Sequence, residues 1–176
     1  MSDAGDFIDA ALQYEVSPYI YPTDEPDGLT RYGTSIGAIR GTVRDALKRY
    51  PDMTHDDITA LSSELWAVPV FERREAAIVL LQTYVDSLVA NDLTRIEGFL
   101  RSAGSAAIVE QLTVDVLLPM FDGMDGATLQ RVRPVLSRWV ADPDADLRAA
   151  GLRLTGASDA AADRAPYTGD TNERRV

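Results

Sequence analysis

Apolar residues recur along most of this chain every three or four positions, the period of an amphipathic helix, and nowhere alternate long enough to mark a strand. The pattern predicts a short helix over about 6–15, then an irregular loop over 17–33 holding Pro18, Pro22, Pro26 and Gly28. A helix over 35–50 puts Ile36, Ile39, Val43 and Leu47 on one face and ends at Pro51. Thr54 and Asp57 have capping-box spacing and open a helix over 55–67 with Ile58, Leu61 and Leu65 on one side. The stretch 71–89 reads as one long helix, and its Ala76–Leu81 centre is apolar nearly all round, which predicts burial on more than one side. Asn91 or Asp92 caps a helix to about 102, stopped by Gly104, and Ser105 opens another to about 118, before Pro119. A turn over 122–126 leads to a helix ending near 141 and kinked at Pro134, and a last helix spans 144–154.

Long helices therefore begin near residues 35, 71, 106 and 144, and all but the last are followed by a partner. A two-helix unit repeated every 35 to 40 residues marks a HEAT-type array, and Arg74–Leu81 and Arg148–Leu154 share an Arg, Ala-Ala, apolar shape. The expected fold is all-α, a HEAT-like α-α superhelix of antiparallel helix pairs with one concave surface; a plain helical bundle is the alternative. Residues 1–156 form the expected single domain, and 157–176, small and charged, an expected disordered tail.

Composition adds exclusions more than assignments. The 176 residues include no cysteine and one histidine, His55, which removes disulfides, thiolate chemistry and His-rich metal clusters. No metal site, cofactor motif, phosphate loop or membrane span is expected, and the opening Met1–Asp6 lacks a basic-then-apolar leader pattern, so the expected compartment is the cytoplasm. The net charge of −11 would repel nucleic acid at long range, so any such partner depends on local arginine placement. All basic residues but Lys48 are arginine.

Three stretches then carry a resemblance. Tyr32–Arg40 is similar to the Gly-apolar-x4-apolar-Arg opening of the DNA alkylation repair glycosylases. Leu65-Trp66, Glu72-Arg73 and Ala76-Ala77 resemble that family's Leu-Trp, Glu-x-Arg and Ala-Leu-Leu segment, and Arg138-Trp139 with Arg148 and Ala150 continues the order. The resemblance covers about residues 19–154. It implies duplex DNA as partner and hydrolysis of the N-glycosidic bond of cationic N3- and N7-alkylpurines. In this family the base stays out of a pocket, while two tryptophans and an aspartate lie against the sugar and steady its oxocarbenium-like charge.

The resemblance puts the family's first tryptophan and its aspartate four residues apart on the helix that starts at Ser105. Counted from Ala76-Ala77, the aspartate position is Glu110 and the tryptophan position Ala106, and the second tryptophan falls near Ala145. Val114-Asp115 also resembles the family's Val-Asp pair, but Asp115 lies about 140° round an α-helix from Glu110 and reads as a solvated surface residue. Glu110 lengthens the side chain by one methylene, a misplacement of the size that costs about a hundredfold in rate. A catalytically silent DNA binder and a HEAT-like scaffold for a protein partner are therefore the competing readings. The family also adds one or two helices beyond the last one expected here.

Arg148 matches an arginine that the family aims at the DNA backbone; a salt bridge to Asp142, Asp144 or Asp146 is its structural alternative. Arg131 and Arg138, seven apart, form a candidate basic stripe with Arg148 and Arg153, and Arg40, Arg44 and Lys48 form a second track at four-residue spacing. Tyr19 and Tyr21 lie where the family places an aromatic near the lesion. Trp66 and Trp139 read as core, and His55 as solvent-exposed.

Overall fold

The computed structural model describes residues 1–15 and 27–162, with side chains to 156. Helix α1 (Asp3–Tyr14) starts earlier than its apolar pattern, because the Ser2 hydroxyl accepts from Gly5 N and caps the first turn. Helix α2 (Ile36–Arg49) is capped by Ser35. Helix α3 (His55–Trp66) carries the expected capping box, Thr54 and Asp57 bonding each other's backbone N–H. Helix α4 (Phe71–Thr83) is shorter than expected. The chain after Tyr84 folds into two 3-10 turns, Val85–Ser87 and Ala90–Asp92, because Ser87 and Asp92 bond nearby backbone instead of letting the helix continue.

Helix α5 (Leu93–Arg101) ends at Gly104, whose φ of +71° and approach to Asp27 O leave no room for a Cβ. Helix α6 (Ala106–Gln111) then changes character: Leu112–Leu117 is π-helical, and α7 (Leu118–Asp122) completes the rod. Pro119 has no N–H for the carbonyl of Asp115, four residues back, so an α-helical ladder cannot pass this point intact. Helix α8 (Gly126–Val140), capped by Asp125, includes Pro134, and α9 runs Ala145–Ala162, eight residues past the end expected at 154.

The helices pack in two rows. One row is α1, α3, α5 and α8: α1 lies on α3, Arg95 of α5 donates to Thr59 O of α3, and Arg138 of α8 reaches Glu97 of α5. The other row runs from α2 to α4, to α6 with its π-helical continuation, and to α9. Helices α1 with α2, α3 with α4 and α8 with α9 cross between rows, and Gly151 lets α9 approach the Trp139 backbone closely. This is an all-α superhelix of stacked helix pairs, as the repeat spacing predicts. Among the described residues the one β-type contact is an isolated bridge, Thr30 with Val70, and no helix is long and apolar enough to cross a membrane.

The core follows the sequence pattern. Ile39, Ile58, Leu65, Leu80, Ile96, Leu100 and Trp139 are shut off from solvent. Trp66 stacks on Phe99 with ring centroids 4.4 Å apart and donates Nε1–H to Ser102; Trp139 donates to Glu97, so both tryptophans are core residues with their one polar atom satisfied. His55 is not a free surface residue. Its ring nitrogens lie 2.9 Å from Asp92 Oδ2 and 3.0 Å from Asp56 Oδ1, tying the start of α3 to the start of α5.

Candidate functional site

Helix α4 is buried over ten consecutive residues, Glu72–Leu81, and its first four are charged. Buried charges are costly unless paired or hydrogen-bonded, so each needs an account. Glu72 accepts from the backbone N–H of Tyr32 (2.9 Å), Gly33 (2.7 Å) and Thr34 (3.3 Å), fixing the chain just before α2. Arg73 donates to Glu64 O and Leu65 O at the end of α3 and pairs with Asp9 of α1 at 3.1 Å. Arg74 donates to Ser102 O and Ala103 O at the end of α5, with its guanidinium 5.2 Å over Trp66. These three staple neighbouring helix ends.

Glu75 staples nothing. It is 2% exposed, and among the described residues its hydrogen-bond partner is the side-chain amide of Gln111, one end of which lies 2.9 Å from Oε2. Burial pushes the Glu75 carboxyl up to about 7; the Gln111 bond and the charge of Arg40 on α2 resist that rise, while Asp115 and Glu72 add to it. Glu75 of α4 is thus bonded to Gln111 of α6 and feels the charges of Arg40 on α2 and Asp115 on the π-helical segment. A raised carboxyl among charge partners is a mark of functional sites. A π-helical turn is another.

On α6 and its continuation the residues with solvent access are Ala106, Ala107, Glu110, Gln111, Val114 and Asp115, one wide strip between α4 and α9. Glu110 stands on the α9 side, where Arg153 Nη1 lies 2.6 Å from both its carboxylate oxygens. Asp115 stands on the α4 side, half-buried, and makes no hydrogen bond or ion pair among the described residues. The two carboxylates both reach solvent, Glu110 as an exposed residue and Asp115 in part. Gln111 sits four residues before Asp115, just under one turn of the π-helical segment, so the pair shares one face.

Beside this site a cleft of about 580 Å³ between α2 and α4 is lined by Arg40, Arg44, Lys48, Gln82 and Thr83 among others. Arg44 and Lys48 share Asp45, at 3.8 and 3.4 Å, as exposed and weak pairs. The structure thus brings Arg40 and Arg44 together on the second row. It does not bring the other arginines to them. Arg148 donates to Asp142 O (2.7 Å) and Pro143 O (3.3 Å), holding the turn before α9. Arg138 pairs with Glu97 at 2.5 Å and Arg131 donates to Thr128 at 2.8 Å, both from α8 in the first row. Ala106 and Ala145 are exposed at the starts of α6 and α9, and Tyr19 lies outside the described residues. A further cleft of about 500 Å³, bordered by Arg49, Tyr50, Met53 and Glu64, belongs to the α1–α3 side, away from this cluster. Among the described residues no group of three or more histidine, aspartate or glutamate side chains is placed to hold a metal ion.

Fold and site together define a helical-repeat protein with a carboxylate strip on its second row, backed by a buried acid and bordered by a cationic cleft. The sequence model described as DNA alkylation repair enzyme matches residues 17–165, and the chain belongs to that family. No curated protein matched the sequence.

Proposed function

We propose that this protein binds duplex DNA along the second-row face and excises cationic N3- or N7-alkylpurines by hydrolysing their N-glycosidic bond, with Asp115 as the carboxylate that acts. Phosphates lie along Arg40, Arg44 and Lys48, cations that reach no partner closer than the exposed Asp45. The electron pair of the C1′–N bond leaves with the alkylated base, which departs neutral and needs no proton from the protein. Positive charge develops on the sugar, and Asp115 steadies it until water adds at C1′ and releases a proton.

One observation carries the choice of residue. Glu110 already faces a cation, Arg153, while Asp115 faces none in contact. A carboxylate spent on a guanidinium is a poor stabiliser of a second positive charge. The test is release of 7-methylguanine and 3-methyladenine from methylated duplex DNA at enzyme excess. Release by the wild type, lost about a hundredfold or more in Asp115→Asn and kept in Glu110→Gln, is the expected result. Release that survives Asp115→Asn but not Glu110→Gln returns the role to Glu110. No release above buffer removes the enzymatic reading.

A catalytically silent binder is favoured by one feature, the absence of aromatic side chains at Ala106, Gln111 and Ala145. Affinity for unmodified duplex across salt separates it from a scaffold for a protein partner. Three phosphate contacts predict a log–log slope of about −3, whereas a scaffold shows no binding at low salt.

A further inference from the structure

The function proposed above uses Asp115 and leaves the buried acid beneath it without a role. Glu75 has no structural duty of the kind its three neighbours perform, for Glu72, Arg73 and Arg74 each hold a helix end or a loop. Its one hydrogen-bond partner among the described residues is Gln111, and Gln111 is half-exposed on the strip that carries Asp115. A primary amide has two unlike ends. A carboxylate can only accept, so it draws the amide N–H₂ inward; a protonated carboxyl donates, so it draws the amide oxygen inward. The end turned away from Glu75 is the end that faces outward.

We propose that Glu75 is a proton-operated positioning residue: ionised, it holds the Gln111 nitrogen and turns the amide oxygen outward beside Asp115; protonated, it holds the oxygen and turns the amide nitrogen outward. Resting on the reading of a cationic alkylpurine as ligand, the site then has a high-pH form suited to positive charge and a low-pH form that opposes it. Ionisation of Glu75 also adds a negative charge below the strip, so both effects have one sign. By reciprocity, a cation bound over Gln111 favours the ionised acid and expels its proton.

The surroundings allow the switch near neutral pH. Burial holds the carboxyl near 7, where both forms are populated. The charged groups that face Glu75 are Arg40 from α2, Asp115 from the π-helical segment and Glu72 from its own helix. Helices α1 and α3 send their nearby carboxylates elsewhere, Asp9 to Arg73 and Glu64 to Ser2 N. Arg40 and Asp115 act on Glu75 with opposite signs, so neither state is locked.

The experiment follows the Gln111 side-chain amide by ¹H–¹⁵N NMR in the full chain between pH 5 and 9. Its two N–H signals should titrate with a midpoint near the Glu75 value and stop titrating in Glu75→Gln, while Glu75→Asp restores a titration at a shifted midpoint. Signals that stay fixed in the wild type, or that titrate unchanged in Glu75→Gln, overturn the inference whether or not the protein releases bases. With activity present, alkylpurine release should rise about tenfold from pH 6 to 8, as the ionised fraction of a group of pKa near 7 does, and lie flat in Glu75→Gln. A wild-type profile as flat as the variant's also overturns it, leaving the proposed excision intact. Titration without any base release leaves the switch standing and removes the excision reading instead.

Discussion

Glu110 of α6 and Arg153 of α9 close on each other across the second row, with one guanidinium nitrogen 2.6 Å from both carboxylate oxygens. The pair is roughly half exposed on each side, with side-chain accessibilities of 59% and 47%, so water screens it and its net contribution to folding is about 1 kcal/mol or less. Its larger effect concerns what each partner can still bind. Glu110→Ala should leave the unfolding midpoint nearly unchanged and free Arg153 for a phosphate. Affinity for duplex DNA should then rise and its log–log salt slope steepen by about one. An unchanged slope in a salt titration would remove Arg153 from the DNA path.

The helical periodicity, the capping box at Thr54 and the all-round burial of α4 were legible because each is a local pattern with one physical reading. The rotational relation of Glu110 and Asp115 was not. Counting at 100° per residue assumes an α-helix throughout, and Leu112–Leu117 is π-helical. Pro119 was the available signal, since a proline four residues past Asp115 removes the α-helical donor to that carbonyl. The partners of the arginines in the candidate stripe were not legible for a different reason. Arg131 and Arg138 share a helix face, but which row that helix joins depends on long-range packing. The acids that hold the arginines, Glu97 with Arg138 and Glu110 with Arg153, lie over forty residues away in the chain. Glu75 lies unremarked inside the Arg74–Leu81 repeat echo, and its separation from the stapling charges beside it appears only when their partners are known.

Glu72 should be the most costly of the charged residues of α4 to replace. Its carboxylate serves three backbone N–H groups, two of them buried, ahead of α2. Glu72→Ala leaves those donors without protein partners and empties the space, at an expected cost of about 3 kcal/mol or more. Urea denaturation of the variant at pH 7 measures it, and a loss below about 1 kcal/mol would show that water replaces the carboxylate freely.

Glu75 should lower stability at high pH. Folding raises its carboxyl from 4.5 to about 7, so the folded state binds more protons than the unfolded chain between those values. Stability therefore falls as pH rises through that window, by a total of about 3 kcal/mol above it. Glu75→Gln keeps the shape of the neutral acid and cannot ionise. The variant should match the wild type near pH 4 and exceed it by pH 8, in denaturant titrations at both values. An equal difference at the two pH values would mean that Glu75 does not titrate in this range.

His55 should act with the opposite slope. Hydrogen bonds that the ring donates first to Asp92 and then to Asp56 raise the imidazole above its ordinary 6.5, against the opposing effect of burial. A histidine with a raised folded pKa contributes its full stabilisation below the unfolded value and loses it as pH rises through the folded one. Asp92 is buried and also accepts from Val89 N, so the imidazolium neutralises a carboxylate that holds the turn leading into α5. His55→Ala should therefore cost more at pH 6 than at pH 9, and Asp92→Asn should bring the His55 titration back toward 6.5 in an NMR pH series. A His55 midpoint at or below 6.5 in the wild type would break the link between α3 and α5 that this pair supplies.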